Sequence, residues 1–384
     1  MKRLGNIYQE IYSIENLKSA HKNASRSKGH YIEVRKTNGN LDEELSNIQS
    51  MLINKTYYIS PNDYTFKIIR DKGKDRELMK LKYNPHRIVQ WAVMLHLEKV
   101  FTNTFCYHTC ASIPNGGIDR AYKLIYSYLM DKENTQYCLK IDVKKFYPSI
   151  DKNILKNKLR TKIKDKDLLW LLDLIIDSYP RETGVPIGSY LSQYFANFYL
   201  SEFDHYCKEQ LKLKYIVRYM DDIIILHKDK EYLRELLVKI QSFWSVKLNL
   251  TMKENYQVFP VESRGVDFIG YVFRHKSIRL RRKNALHLRK ISNRIKKRQR
   301  MNYSDFCSIN AVVGFFRYFD SRQLFDTYIR PIFPIITSYY RNNILSDKLT
   351  EREKNKKVWG YSTRLGLKRD NYKYKRFENV FRRR

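Results

Sequence analysis

Several features that would point to a membrane or secreted protein are missing from this chain of 384 residues. It has no apolar run near 20 residues and no polybasic amphipathic anchor, so no membrane partner is expected. The segment after Met1-Lys2-Arg3 is polar and does not resemble a signal peptide. Internal repeats and long low-complexity linkers are also absent from the sequence. These absences predict a soluble, cytoplasmic protein.

Cysteine is scarce, and its five positions form an odd and scattered set: Cys106, Cys110, Cys138, Cys207 and Cys307. Cys106 and Cys110 flank a histidine in a way that invites a zinc interpretation. However, no second Cys/His pair lies at ligand spacing. We therefore expect reduced thiols, which suit a cytosolic compartment.

Acidic residues are too few to balance the basic ones. Lys and Arg total 74 against 40 Asp and Glu, a formal net charge of +34. So much positive charge repels itself in a compact protein, which predicts a polyanionic partner. Nucleic acid is favoured because 31 Tyr and 19 Phe accompany the basic residues, and bases stack on aromatic rings. An anionic membrane surface is the competing partner.

The periodicity of apolar residues predicts an α+β architecture with one large core or two to three coupled subdomains. A turn and helix N-cap are expected at Pro148 to Asp151, and a Gly/Pro loop at Gly184 to Gly188. Helices are expected within 1–60 and at 86–101, 166–178, 190–211 and 285–343. Strands are expected at 64–82, 137–143, 215–226 and 267–283.

Asp221 and Asp222 lie between two apolar arms, Tyr215 to Met220 and Ile223 to Leu226. Burial of the arms would leave both carboxylates in an exposed bend. Adjacent carboxylates at a rigid tip repel each other, and a divalent cation relieves that repulsion. A solvated Asp-Asp turn is the alternative for this pair taken alone.

A third carboxylate, Asp142, ends the predicted strand at 137–143. Three carboxylates from two neighbouring strands can hold two Mg²⁺ ions, with Mn²⁺ as a substitute, for nucleotidyl transfer. Tyr147 follows five residues later, where its ring could pack under an incoming sugar and exclude a 2′-hydroxyl. Core packing is the alternative role for this ring.

These segments together resemble the reverse transcriptase family. The strand ending at Asp142, the loop Gly184-Val185-Pro186-Ile187-Gly188 with Ser192-Gln193, and Tyr219-Met220-Asp221-Asp222 look like its motifs A, B and C, in order. Phe268-Ile269-Gly270-Tyr271 is similar to the primer grip. Lys74-Asp75-Arg76, His86 to Gln90 and Phe105 to Arg120 resemble the motifs of the fingers. The resemblance covers about residues 70–275.

The resemblance implies roles for individual residues. Asp142, Asp221 and Asp222 would be catalytic and, with Val143, would bind metal. The nucleotide-binding residues would be Arg76, Arg87, Tyr147, Gly188, Gln193 and Lys253, and the primer grip would be Phe268, Gly270 and Tyr271. Arg76 and Arg87 would meet the triphosphate, and Lys253 would lie near the leaving pyrophosphate. Gly188 would let the backbone approach the templating base or nucleotide closely, and Gln193 would bond its minor-groove side. Solvated surface positions are the alternative for Arg76, Arg87 and Gln193.

The implied fold is a right-hand polymerase with fingers, a palm of antiparallel sheet plus helices, and a helical thumb. We expect fingers and palm at 1–275, with palm motifs at about 137–275, a basic thumb at 276–350, and a basic tail at 351–384 that orders on binding RNA. The partners would be a template or noncoding RNA, a DNA primer or product, dNTPs, and an accessory protein or second copy.

Several subfamilies and classes stay open. The motif B segment Ile187 to Gln193 is most similar to bacterial and phage diversity-generating retroelement enzymes, although that family usually has Thr where Leu191 stands. Defence-associated bacterial reverse transcriptases share similar motifs and lengths. We find no RNase H carboxylate cluster after residue 275, no retron Val-Thr-Gly signature, and a tail too short for a maturase DNA-binding region. Group II intron-like and retron-like enzymes are nevertheless alternatives, as are an RNA-dependent RNA polymerase and a basic RNA-binding scaffold with an inactive palm.

Overall fold

The computed structural model describes residues 3–71, 74–345 and 349–365, apart from the side chains of residues 71, 74, 76 and 362–365. The chain forms two compact units, Met1–Arg264 and Gly265–Arg384. The division predicted after residue 275 stays a prediction.

The first unit combines helices with two antiparallel sheets. Its helices are α1 (Tyr8–Ile11), α2 (Ile14–Ser25), α3 (Ile32–Gly39), α4 (Leu41–Ile53), α5 (Ile88–Thr102), α6 (Gly117–Leu129), α7 (Phe146–Ser149), α8 (Lys152–Lys162), α9 (Lys166–Asp177), α10 (Tyr190–His205), α11 (Lys230–Leu248) and α12 (Val261–Arg264). Its strands are β1 (Tyr64–Asp71), β2 (Lys74–Leu81), β3 (Tyr137–Asp142), β4 (Ile216–Tyr219), β5 (Asp222–His227) and β6 (Gln257–Pro260). The α+β class is therefore confirmed.

Aspartates begin three of these helices. The carboxylates of Asp151, Asp165 and Asp229 accept backbone N–H bonds from the first turns of α8, α9 and α11. Each cap satisfies donors that the helix itself leaves unpaired. The N-cap predicted at Asp151 is confirmed.

A four-stranded sheet with the order β4-β5-β3-β6 forms the centre of the first unit. Strand β5 lies inside the sheet, and its residues Ile223 to Leu226 are all buried. Burial on both faces explains why this strand is a continuous apolar run and does not alternate with polar residues. The core around the sheet also encloses most of α10, including Phe195, Phe198 and Phe203. These contacts fix the loops at the ends of the strands.

β1 and β2 pair along their length, from Tyr64 opposite Leu81 to Asp71 opposite Lys74. Apolar residues of this hairpin are exposed, among them Phe66 and Ile68. The β-ribbon predicted at 64–82 is confirmed, while its predicted tip at Gly73 lies outside the described residues.

The second unit begins with a small sheet and continues as helices. Its strands are β7 (Val266–Phe268), β8 (Tyr271–Phe273) and β9 (Ile278–Leu280), and its helices are α13 (Arg282–Arg298), α14 (Tyr303–Val313), α15 (Arg322–Leu324), α16 (Phe333–Asn343) and α17 (Glu351–Leu365). A separate core, including Leu288, Ile309 and Ile336, holds them together.

The expectation that the tail orders only on binding RNA is wrong for its first part. Glu351–Leu365 forms α17, and Tyr361 stacks on Tyr340 at 4.1 Å between ring centroids. Tyr361 is buried against the second core, which stabilises the helix without RNA. The rest of the predicted tail lies outside the described residues. In the described part of the chain, no helix is both long enough and apolar enough to cross a bilayer.

Candidate active site

The catalytic candidates lie where β3, β4 and β5 end together. Asp142 is directly opposite Asp222 in the β3–β5 pair, and Tyr219 is opposite Asp222 in the β4–β5 pair. Directly opposed side chains of antiparallel strands point to the same face, so the carboxylates of Asp142 and Asp222 share one face of the sheet. Met220 and Asp221 form the two-residue turn of the hairpin.

The carboxyl groups of Asp142 and Asp221 are hydrogen-bonded to each other. Burial, the charge of Asp142 and this hydrogen bond together raise the pKa of Asp221 to about 7. Two carboxylates this close cannot both ionise easily, so they retain a proton near neutral pH. The turn therefore concentrates negative charge, which a bound cation would stabilise.

Two lysines already contact this group of carboxylates. The Nζ of Lys253 lies 2.5 Å from Oδ2 of Asp142. The backbone N–H of Lys253 also donates to the backbone carbonyl of Asp142, at 2.9 Å. The Nζ of Lys140 lies 3.5 Å from Oδ1 of Asp222. Lys253 was expected near the leaving pyrophosphate, and the structure places it against Asp142.

The donor set fits a divalent cation at Asp142 and Asp221. Oδ1 of Asp142 is buried and receives no hydrogen bond from a nitrogen donor in the described part of the chain. Carboxylate and carbonyl oxygens are the ligands that Mg²⁺ prefers, and the carbonyl of Val143 follows directly on the chain. Among the described residues, however, no three His, Cys, Asp or Glu side chains are grouped as a ready-made metal site. Asp222 lies opposite Asp142 on the same face of the sheet and pairs with Lys140.

Tyr147 borders the same turn. Its hydroxyl lies 3.9 Å from Sδ of Met220. Burial and the nearby charge of Asp221 raise the pKa of Tyr147 to about 12, so the phenol stays protonated. The ring is only partly buried, which leaves a surface on which a sugar could rest. This position agrees with the predicted sugar contact, which stays a prediction.

The loop before α10 approaches two backbone segments through its glycines. A Cβ on Gly184 would lie 2.9 Å from Cα of Pro148, and one on Gly188 would lie 3.1 Å from the carbonyl oxygen of Met79. Both glycines have positive φ angles, +96° and +110°. The loop is therefore held between the turn after Tyr147 and β2, where a side chain would strain the backbone. Gln193 lies in the first turn of α10 and is partly buried.

The predicted triphosphate ligands are not brought to the carboxylates by any described contact. Arg87 is partly buried, and its Nε has no hydrogen-bond partner among the described residues. Its electrostatic neighbours are Lys28, Tyr31 and Tyr83. The backbone of Arg76 pairs with Ile69 in the hairpin, and its side chain lies outside the described residues.

The predicted primer grip belongs to the second unit. Phe268 and Tyr271 are fully buried at the ends of β7 and β8, and Gly270 lies in the turn between them. The hydroxyl of Tyr271 donates to the carbonyl of Phe315 at 3.1 Å. Both rings are core residues, so contact with a primer would fall to the backbone of the turn.

Two features of the site were not predicted from the sequence: Lys140 and a buried ion pair beneath the hairpin. Arg218, one residue before Tyr219, is fully buried and pairs with fully buried Asp204 of α10. A signal was present, because an arginine in the apolar run Ile216-Val217-Arg218-Tyr219 breaks the pattern of a buried strand. Lys140 offered a similar signal as the one charged residue within 137–141.

The chain is similar to a curated yeast protein and to solved telomerase structures. A protein of Saccharomyces cerevisiae described as "Putative COX1/OXI3 intron 2 protein" is 26% identical in an alignment that covers 63% of this chain. The chain spans 37% of the length of that relative. Apo telomerase from Candida tropicalis matches with a TM-score of 0.48 and 14% identity, over 83% of this chain and 65% of the telomerase. Candida albicans telomerase in complex with a TWJ fragment of telomeric RNA matches with a TM-score of 0.44 and 12% identity, over 77% of this chain and 63% of the telomerase.

The family model "Reverse transcriptase (RNA-dependent DNA polymerase)" matches residues 69–273, which is more than half of the chain. The match includes Asp142, Gly188, Asp221 and Asp222, whose geometry is given above. The chain belongs to the reverse transcriptase family.

Proposed function

We propose that this chain is an RNA-directed DNA polymerase that copies a dedicated template or noncoding RNA. The observation that carries the proposal is the meeting of Asp142, Asp221 and Asp222 at one end of the central sheet. A structural scaffold gains nothing from placing carboxylates that repel one another at the same end of a sheet.

Asp142 and Asp221 would hold Mg²⁺ or Mn²⁺ together with the carbonyl of Val143, and Asp222 would add charge from the same face. Bound there, two such ions supply charge neutralisation for the triphosphate and activation of the primer hydroxyl. The ring of Tyr147 would pack under the sugar of the incoming nucleotide and limit how far that sugar enters the site. Lys253 would hold Asp142 in place and present positive charge beside the reacting phosphates.

The cellular role is a separate part of the proposal. Antiphage defence and a diversity-generating retroelement in a bacterium or phage are supported by the Ile-Gly-x-x-x-Ser-Gln form of Ile187 to Gln193. A group II intron-like role is a second candidate, supported by the similarity to a yeast protein described by its intron. Sequencing the RNA that copurifies with the protein, and the DNA made from it, would separate these roles.

Purified protein is expected to extend a DNA primer on an RNA template when Mg²⁺ and dNTPs are supplied, and to stop when EDTA is added. Gel analysis of a labelled primer measures the product. Supplying ribonucleotides alone tests the RNA polymerase alternative. RNA binding without extension under all metal conditions would favour the scaffold and reject the proposal.

Tyr147→Ala is expected to relax the choice between deoxyribonucleotides and ribonucleotides by about tenfold or more, because removing a steric contact is worth about 1–3 kcal/mol. Single-nucleotide incorporation with each sugar measures the ratio of kcat/KM values. Tyr147→Phe is the control, since it keeps the ring and loses only the distant contact to Met220. Unchanged sugar selection in Tyr147→Ala would assign the ring to packing.

A further inference from the structure

A buried polar network lies directly beneath the catalytic hairpin. All three guanidinium nitrogens of Arg218 donate hydrogen bonds inside the protein. Nε and one terminal nitrogen donate to the two oxygens of Asp204, at 2.8 and 2.5 Å. That terminal nitrogen also reaches Oγ1 of Thr109 at 3.3 Å, and the other donates to Oδ1 of Asn197 at 3.0 Å. The guanidinium is thus held in one orientation by two separate segments, α10 and the loop that contains Thr109.

The opposite charges of Arg218 and Asp204 balance each other within this network. Burial alone would raise the pKa of Asp204, but the charge of Arg218 and the hydrogen bonds of His108 and Arg218 hold that pKa far below its usual range. Thr109 also donates to Asp204, at 2.8 Å. The carboxylate and the guanidinium therefore both remain charged in the interior, where an ion pair persists only with excellent geometry.

One bond leads from this network to the catalytic turn. The terminal nitrogen of Arg218 that contacts Asn197 also donates to the carbonyl oxygen of Met220, at 3.1 Å. That carbonyl belongs to the peptide that joins Met220 to Asp221. Met220 has a φ of +56°, a left-handed conformation that L-residues with a side chain adopt at a cost. A fixed donor at this peptide stabilises the strained turn.

The main-chain hydrogen bonds of β4 do not fix the peptide between Met220 and Asp221. Residue 218 is paired through its main chain, since its N–H donates to the carbonyl of His108 and its carbonyl accepts from the N–H of Cys110, both at 2.9 Å. That pairing ends at Arg218, and the pairing of β4 with β5 ends at Tyr219 opposite Asp222, so neither includes the Met220 carbonyl. The side chain extends the support from the paired strand to the peptide that carries Asp221.

We propose that Arg218, held by Asp204, Asn197 and Thr109, is a positioning residue that sets the orientation of Asp221 through the Met220 carbonyl. The inference rests on the proposed polymerase function. It predicts that losing the guanidinium lowers the rate of nucleotide addition and raises the Mg²⁺ concentration needed for half-maximal activity. Affinity for RNA and KM for dNTP should change little, because Arg218 touches neither.

The test compares two variants in the full chain by primer extension. Arg218→Lys keeps a cation for Asp204 but lacks the fork that reaches Asp204 and Met220 together. The double variant Arg218→Met, Asp204→Leu removes the ion pair as a unit, a change that buried pairs often tolerate. In both, kcat is expected to fall about 10- to 100-fold, since small misplacements of reacting groups cost about that much. The melting temperature of each variant is measured, and assays are run well below it.

The control double variant Arg160→Met, Asp173→Asn removes an ion pair of 2.5 Å that joins α8 to α9, away from Arg218 and Asp204. It should keep kcat and the Mg²⁺ dependence of the wild type. A folded Arg218 variant with normal kcat and Mg²⁺ dependence would overturn the inference. So would loss of folding in both variants, which would assign the network to stability alone. Inactivity of the wild type is a different outcome, which rejects the proposed function.

Discussion

The double variant Asp221→Ala, Asp222→Ala is expected to lose primer extension by roughly 10³-fold or more, since several kcal/mol of electrostatic stabilisation would disappear. RNA affinity should be retained, because both carboxylates repel a phosphate backbone. The two measurements are primer extension and RNA binding at equilibrium. Since both residues are only partly buried and lie at the end of the sheet, the sheet should remain folded.

A matched control comes from α11. Glu231→Ala, Glu235→Ala removes the same formal charge from two exposed positions on that helix. This control should extend primers like the wild type. The comparison separates the loss of two catalytic carboxylates from the change in net charge. Full activity of the Asp221/Asp222 variant would show that the chemistry is carried elsewhere.

RNA binding is expected to weaken by about 10³-fold or more between 50 and 200 mM salt, as for proteins that make six or more phosphate contacts. The net charge of +34 and the basic face of α13 are the physical reasons. The exposed basic residues of α13 include Arg289, Lys290 and Lys297, while its apolar residues Leu288, Ile291 and Ile295 face the core. Filter binding or fluorescence anisotropy at several salt concentrations gives the slope.

The contribution of α13 can be isolated. Arg289→Gln, Lys290→Gln should reduce the magnitude of the log–log slope by about 1.4 to 1.8, because each phosphate contact contributes about 0.7 to 0.9. Lys239→Gln, Lys247→Gln on α11 removes the same charge from exposed positions and should leave the slope nearly unchanged. Equal slopes for the two pairs would mean that the basic face of α13 does not bind the RNA.

Much of the fold was predictable because its signals are local. The strand at 137–143, the helix at 166–178 and the hairpin around Asp221 and Asp222 follow from periodicity and capping, and the structure confirms them. Membership of the reverse transcriptase family supports the predicted right-hand polymerase with its palm of antiparallel sheet. The helix at Glu351–Leu365 was not predicted, since Tyr361 is ordered by Tyr340, which lies in a different helix.

The site was predictable only in part. The three carboxylates could be identified from their positions at strand ends. The residues that each of them contacts could not be predicted. Lys253 was expected beside a leaving group, and it contacts Asp142 because the main chain of residues 251–253 bonds to the end of β3. Arg87 was expected at the triphosphate, and its neighbours in the structure are Lys28, Tyr31 and Tyr83. Such contacts depend on segments far apart in the chain.

By itself, the sequence predicted a hairpin around Asp221 and Asp222, since apolar residues on both sides must be buried. The structure places Asp221 in the turn and Asp222 at the start of β5, so only one of the two lies in the predicted bend. The sequence also determined the excess of positive charge and the order of the motifs. Only the tertiary structure decided that Asp142 stands opposite Asp222 and that Arg218 reaches the Met220 carbonyl from a buried pair with Asp204. The reason is physical: strand register and the partner of a buried charge are set by packing between distant segments, which no local pattern specifies.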